Sequence, residues 1–77
     1  MTAEELATAL LAAAKEVRKI TLKRRRACLT VGKWVVTSTQ RQRDGGLMVC
    51  DLCFDDTTSG DRFKSVTRLK RRLGLAE

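Results

Sequence analysis

The N-terminal part of the chain carries its apolar residues at the spacing of one helical face. They recur at i, i+4, i+7, i+11 and i+14, which indicates an amphipathic helix. The stripe consists of Leu6, Leu10, Ala13, Val17 and Ile20. Thr2 is placed to cap the helix, and Glu5 three residues later completes a capping-box pattern. We predict a helix over about residues 2–20, although residues 20–22 also suit the start of a strand.

The middle of the chain is rich in β-branched and aromatic residues, which are typical of strands. Residues 28–31 and 34–39 form two such runs on either side of Gly32-Lys33. Two interpretations stay open here. One is a hairpin with a two-residue type II′ turn, which favours glycine first; the other is one long strand with a bulge at Gly32. Both predict β structure over about residues 27–39.

A further strand follows the turn signal Arg-Asp-Gly-Gly at residues 43–46. From residue 47 to residue 54, apolar side chains occupy every second position, and this predicts a strand with one side facing the core. The positions expected to face the core are Met48, Cys50, Leu52 and Phe54.

The last predicted element is a helix over about residues 61–73. Asp61 is the preferred N-cap, with Ser59 as the alternative, and Gly74 suits the position just past the helix end. The apolar positions at helical spacing are Phe63, Val66, Leu69 and Leu73. The pattern predicts one α+β domain over residues 1–77, in αββα or αβββα order. Two helices would pack against an antiparallel sheet of two or three strands.

Charge is distributed unevenly along the 77 residues, which carry a net charge of +7. Residues 18–43 hold nine Lys/Arg and no acid, and residues 44–61 hold five Asp and no cation. Residues 62–77 hold six Lys/Arg and one Glu. Because crowded like charges repel each other and add nothing to stability, the two basic blocks indicate a polyanionic partner.

The composition argues against catalysis. The chain has no His and no Tyr, so the commonest general acid–base group is absent. Asp55 and Asp56 are adjacent in a polar turn, a setting that solvates carboxylates rather than raising their pKa. A cysteine nucleophile would lack its histidine partner. We expect no enzymatic activity and no cofactor.

The chain has three cysteines, Cys28, Cys50 and Cys53, an odd number that does not fit a disulfide framework. Cys50-x-x-Cys53 has the spacing of half a zinc site, but such a site needs four ligands. On a regular strand, residues 50 and 53 also face opposite sides. We interpret the three cysteines as reduced thiols that pack in the core, and we expect no metal.

The N-terminus indicates a protein that is not secreted. Glu4 and Glu5 stand where a secretory signal would carry cations, and the apolar run of residues 6–14 is too short to span a membrane. We expect a protein of the cytoplasm, or of a particle assembled inside a cell, that does not bind membranes.

The basic residues gather after the first helix, beside the central turn and on the last helix. In a compact domain these groups are expected to merge into one face that binds the phosphate backbone of DNA or RNA. The predicted nucleic-acid-binding residues are Lys23, Arg24, Arg25, Arg26, Arg41, Arg43, Arg62, Lys64, Arg68, Arg71 and Arg72. The aspartates between the blocks are expected to form an acidic side that orients the nucleic acid.

With two strands, the element order and the small size resemble the gpW family of head–tail joining proteins from lambda-like phages. The resemblance is carried by residues 1–7, Met-Thr-Ala-Glu-Glu-Leu-Ala, and residues 65–70, Ser-Val-Thr-Arg-Leu-Lys. It implies a small connector subunit that meets both protein and packaged DNA. The second hypothesis is therefore a structural or interaction protein, either such a connector or an inhibitor that docks on another protein. It would form a homo-oligomer or bind a partner through the slim, alanine-rich face of the first helix.

Overall fold

A computed structural model describes residues 1–75, so residues 76 and 77 of the predicted domain lie outside the described part. The elements are α1 (Ala3–Thr21), β1 (Arg26–Val31), β2 (Trp34–Gln42), β3 (Met48–Asp56), β4 (Arg62–Phe63) and α2 (Val66–Arg72). The predicted α+β class, with two helices and an antiparallel sheet, is confirmed. Within residues 1–75 the sheet has four strands rather than two or three.

Helix α1 begins where the sequence predicts. The Glu5 N–H donates a hydrogen bond to Thr2 Oγ1 at 3.1 Å, and the Thr2 N–H donates one to Glu5 Oε1 at 3.2 Å. These two bonds form the capping box. The helix continues to Thr21, whose buried hydroxyl donates to the Val17 carbonyl at 2.6 Å. Residue 21 therefore extends the buried stripe by one more turn instead of starting a strand.

The first two strands form a hairpin, and the alternative of one long bulged strand is wrong. Val31 pairs with Trp34, so the loop has two residues. Gly32 has a φ of 58°, and no residue other than glycine has a positive φ within residues 1–75. A positive φ at the first loop residue alone is the signature of a type II′ turn, which matches the twist of the flanking strands.

The four strands follow one another as an antiparallel meander, in the order β1-β2-β3-β4. Strand β4 was not predicted, and the helix expected from residue 61 begins only at Val66. Phe63 instead pairs with Phe54, and its ring centroid lies 6.1 Å from that of Trp34. These core contacts keep the backbone of residues 62 and 63 extended, although the local sequence predicts that a helix starts there.

Helix α2 ends at Arg72 with Leu73 as its C-cap, and Gly74 follows just past the helix end, as predicted. This glycine has a φ of 81°, and its N–H donates to the Arg71 carbonyl at 3.0 Å. The Leu75 N–H donates to the Lys70 carbonyl at 2.9 Å. This pair of bonds is the Schellman motif, which needs a left-handed residue and therefore favours glycine.

The core lies between one face of the sheet and the two helices. Its buried members are Leu10, Ala13, Ala14, Val17, Trp34, Val36, Leu52, Phe54 and Leu69. Alternate strand positions point to the other face, where Cys28 and Thr30 are exposed. Leu52 and Phe54 confirm the predicted core side of β3, but Met48 on the same side is 54% exposed.

Met48 is exposed because it lies in a projecting part of the sheet. Strand β1 pairs with β2 only as far as Thr39, and β4 pairs with β3 only at Phe54 and Asp55. The central hairpin therefore continues as a two-stranded ribbon, residues 40–50, that ends in a 3₁₀ turn at Asp44–Gly46. With this ribbon the molecule measures 40 × 21 × 21 Å. Within residues 1–75, neither helix combines the length and hydrophobicity needed to cross a lipid bilayer.

Candidate nucleic-acid interface

Four consecutive cations occupy the end of the connection between α1 and β1 and the first position of β1. We call Lys23, Arg24, Arg25 and Arg26 the junction cluster. The backbone N–H groups of Lys23 and Arg24 both donate to the Ile20 carbonyl at 3.0 Å, so the turn closes tightly on the end of α1. All four residues are exposed, and none forms an ion pair with another residue of the described range.

The ribbon brings two further arginines to the same end of the molecule. Arg26 pairs with Thr39, and the Gln40 N–H donates to the Arg25 carbonyl at 2.7 Å, so the junction cluster lies beside the base of the ribbon. Arg43 is exposed at the ribbon turn and makes no ion pair within residues 1–75. Arg41 is different, because its guanidinium donates to both carboxylate oxygens of Asp51, at 2.7 and 3.3 Å.

The remaining predicted residues lie near β4 and α2, away from the junction cluster. Arg62 donates to Asp55 at 2.8 Å, and this carboxylate raises the pKa of Arg62 above its ordinary value. Arg72 lies 3.5 Å from both Asp56 and Asp61. Lys64 and Arg68 are exposed and have no ion pair in the described part of the chain, and Arg71 is also exposed.

The predicted basic residues are thus divided between separate regions. Arg72 and its neighbour Arg71 lie near Asp56, which is the last residue of β3. Arg43 lies past the opposite end of that strand, beyond its first residue, Met48. A nine-residue strand is about 27 Å long at a rise of about 3.4 Å per residue. Arg24 and Arg43 therefore share one end of the molecule, and Arg71 lies towards the other.

The expected acidic side is not a separate surface. Antiparallel pairing places the aspartates of β3 next to cations of both basic blocks. The resulting ion pairs are Arg41–Asp51, Arg62–Asp55, Lys33–Asp56, Arg72–Asp56 and Arg72–Asp61. Only Asp44, at the ribbon turn, lacks such a partner among the aspartates of residues 1–75. The acidic segment therefore neutralises some cations and leaves the junction cluster and Arg43 uncompensated.

The cysteines occupy three different environments. Cys50 faces the helices and lies beside α1 residues, while Cys53 points to the other face, as the strand alternation predicts. Burial raises the pKa of the Cys53 thiol, as do the charge of Asp55 and its hydrogen bond to that carboxylate at 3.5 Å. Cys28 is exposed, and Cys53 is half-buried on the face away from the helices, so the expected place of these two cysteines in the core is wrong. No group of three or more potential metal ligands occurs within residues 1–75.

Two cations missed by the predicted set extend the basic end. Arg18 and Lys19 occupy the last turn of α1, directly before the junction cluster, and both are exposed. Their signal was present in the sequence, because the basic block itself begins at residue 18. Cations in this position are favourable at the negative end of the helix dipole, which does not prevent a second role.

Fold and charge together define a class: a small α+β domain with both helices on one side of its sheet and uncompensated cations at one end. No protein-family model, no curated protein and no solved structure matches the chain.

Proposed function

We propose that the protein is a small, non-enzymatic nucleic-acid-binding protein that recognises the phosphate backbone. The observation that carries the proposal is the junction cluster, four exposed cations in sequence with Arg43 at the same end, none of which has a carboxylate partner within residues 1–75. Cations placed in this way bind phosphates and release the counterions condensed on the nucleic acid. The ion-paired arginines contribute less to phosphate binding, because each must first break its ion pair with an aspartate. They are Arg41, Arg62 and Arg72.

The shape of this end suits a duplex. A two-stranded ribbon fits the major groove of B-form DNA, and the ribbon here places Arg43 at its turn. The junction cluster lies beside the ribbon base, where it would meet the phosphates that border a groove. Phosphate contacts position a protein without reading sequence, so we expect binding that depends little on base sequence.

A salt titration tests the proposal. Binding to labelled duplex DNA, duplex RNA and single strands is followed by fluorescence anisotropy at several NaCl concentrations. If five cations meet phosphates, the slope of log K against log [salt] on duplex DNA is about −4.5. Lys23→Gln/Arg24→Gln/Arg25→Gln removes three contacts and makes the slope shallower by about 2.7.

The matched control removes the same amount of charge elsewhere. Lys64→Gln/Arg68→Gln/Lys70→Gln takes three cations from the α2 region, and we expect it to change the slope by less than about 1. Equal effects of the two triple variants would indicate attraction by net charge alone. Absence of binding to any nucleic acid at low salt would overturn the proposal.

The second hypothesis, a connector subunit or a protein-docking inhibitor, stays a prediction. It requires the slim face of α1 to bind a partner, but Ala7, Ala13 and Ala14 of that helix are buried in the protein's own core. Light scattering distinguishes the two: a ring or higher oligomer without nucleic-acid binding favours an assembly role. A monomer or dimer with salt-sensitive binding favours the first proposal.

A further inference from the structure

A groove runs along α1 on the helix side of the sheet. It is lined by α1 residues 11, 14, 15, 18 and 19 and by the C-cap, residue 22, and their spacing of three and four places them on one side of the helix. Cys50 and Leu52 of β3 and Val66 at the start of α2 also line it. The groove has a volume of about 590 Å³. We call it the α1–β3 groove.

The groove exists because the second helix is short. Helix α1 has 19 residues and α2 has seven, so the helix layer beside α1 is only partly filled. The uncovered part leaves an apolar side chain of the groove in solvent, because Leu22 is 74% exposed. Leu11, Cys50 and Leu52 line the same groove, and apolar surface gathered in one place is typical of interaction sites.

Among residues 1–75, the charged side chains that line the groove itself are all positive. Lys15, Arg18 and Lys19 line it on α1, and Lys64 lies across from Arg18 in the adjoining cleft. The one carboxylate in that cleft, Asp51, is paired with Arg41. An occupant therefore needs apolar side chains for the floor and acidic side chains for the rim.

We propose that the α1–β3 groove binds an acidic amphipathic helix of a partner protein. From Leu11 to Leu22 the groove follows α1 for about 16 Å, which matches a partner helix of about three turns. The partner would continue the layer that α2 begins, with an apolar stripe against Leu22, Cys50 and Leu52. Glu or Asp beside that stripe would pair with Lys15, Arg18 and Lys19.

A second copy of this chain does not fit the groove. The apolar face of α1 is already buried in its own core, and α2 is basic, with Lys70, Arg71 and Arg72 in its last turn. Neither described helix offers a free apolar face with acidic flanks. The charge of the rim therefore selects a different protein as the partner.

The experiment is a selection from a displayed library of 14-residue helical peptides with randomised apolar and flanking positions. We expect enrichment of peptides with large apolar residues at i, i+3/i+4 and i+7 and with Asp or Glu beside them. Leu22→Glu, which places a carboxylate in the groove, should weaken the best peptide about tenfold or more. Leu47→Glu is the matched control, because Leu47 is similarly exposed, at 69%, but lies at the ribbon turn.

Amide chemical-shift mapping locates the peptide. Shifts at Ala14, Leu22 and Cys50, with none at Arg43, support the proposal. No enrichment over the Leu22→Glu protein, enrichment of basic peptides, or shifts confined to the open face of the sheet would overturn it. If Leu22→Glu leaves peptide binding unchanged but weakens duplex DNA binding more than Leu47→Glu does, the groove belongs to the nucleic-acid surface, and the proposal also fails.

Discussion

The Asp56 carboxylate connects three parts of the chain at the end of β3. It is 1% exposed and accepts hydrogen bonds from the N–H groups of Thr58, at 2.9 Å, and Ser59, at 3.3 Å. Lys33 of the first hairpin turn lies 3.3 Å away, and Arg72 of α2 lies 3.5 Å away. Burial alone would raise the pKa of Asp56. The two backbone N–H groups and the Lys33 ammonium outweigh this effect, and the pKa lies below its ordinary value of 3.8.

This lowered pKa predicts how stability changes in acid. A carboxyl group whose pKa is lower when folded stabilises the protein above its unfolded pKa, and the contribution is lost as the pH falls through the folded pKa. We therefore expect the free energy of unfolding to decrease as the pH is lowered from about 3.8. Asp56→Asn should lower the Tm at neutral pH and make the acid dependence shallower, as measured by thermal denaturation across pH. Asp44→Asn, in an exposed turn, is the control; the same acid dependence in wild type and Asp56→Asn would contradict this account.

Among the elements, α2 depends most on a single contact. It has seven residues, its N-cap Ser65 makes no side-chain hydrogen bond, and Leu69 is its only buried residue. Leu69→Ala should therefore cost about 2–5 kcal/mol through lost burial and the cavity left behind. That is a large part of the roughly 4–12 kcal/mol expected for a domain of this length. Urea denaturation followed by the fluorescence of buried Trp34 measures it.

The control for α2 is Leu22→Ala, which truncates a leucine of the same size that is 74% exposed. We expect it to change stability by no more than about 0.5 kcal/mol. A comparable loss in both variants would mean that leucine size, rather than burial of Leu69 against the core, sets the cost. Loss of helical structure in α2 while Trp34 stays buried would instead indicate that this helix unfolds separately from the sheet.

The elements also separate what local sequence can predict from what it cannot. The Thr2–Glu5 capping box, the Gly32 turn and the Gly74 helix end depend on residues a few positions apart. The capping box and the helix end were predicted, and the turn was one of two interpretations that the sequence left open. Strand β4 depends on Phe63 reaching Trp34 and Phe54 from elsewhere in the chain. The polar residues before Phe63 suit a helix start, so a tertiary contact had to override them.

On the scale of the whole molecule, the blocks of charge in the sequence do not become blocks on the surface. Which cations stay uncompensated depends on the register of β3 against its neighbours, because Asp51 and Asp55 reach Arg41 and Arg62 across strands. A register of this kind is set by the sheet and the core, not by the charges themselves. The sequence therefore predicts the basic residues but not which of them remain available to a partner.

The uncompensated cations also predict how the stability of the molecule responds to salt. At a net charge of +7, with four adjacent cations in the junction cluster, repulsion within the fold should outweigh the exposed ion pairs, which contribute little. Salt reduces the screening length from about 30 Å at 0.01 M to about 10 Å at 0.1 M. We expect the Tm, measured by circular dichroism, to rise over this range. Lys23→Gln/Arg24→Gln/Arg25→Gln should remove much of the rise without lowering the Tm at low salt. A wild-type Tm that falls with added salt would mean that ion pairs dominate, and the cluster would then need a structural explanation.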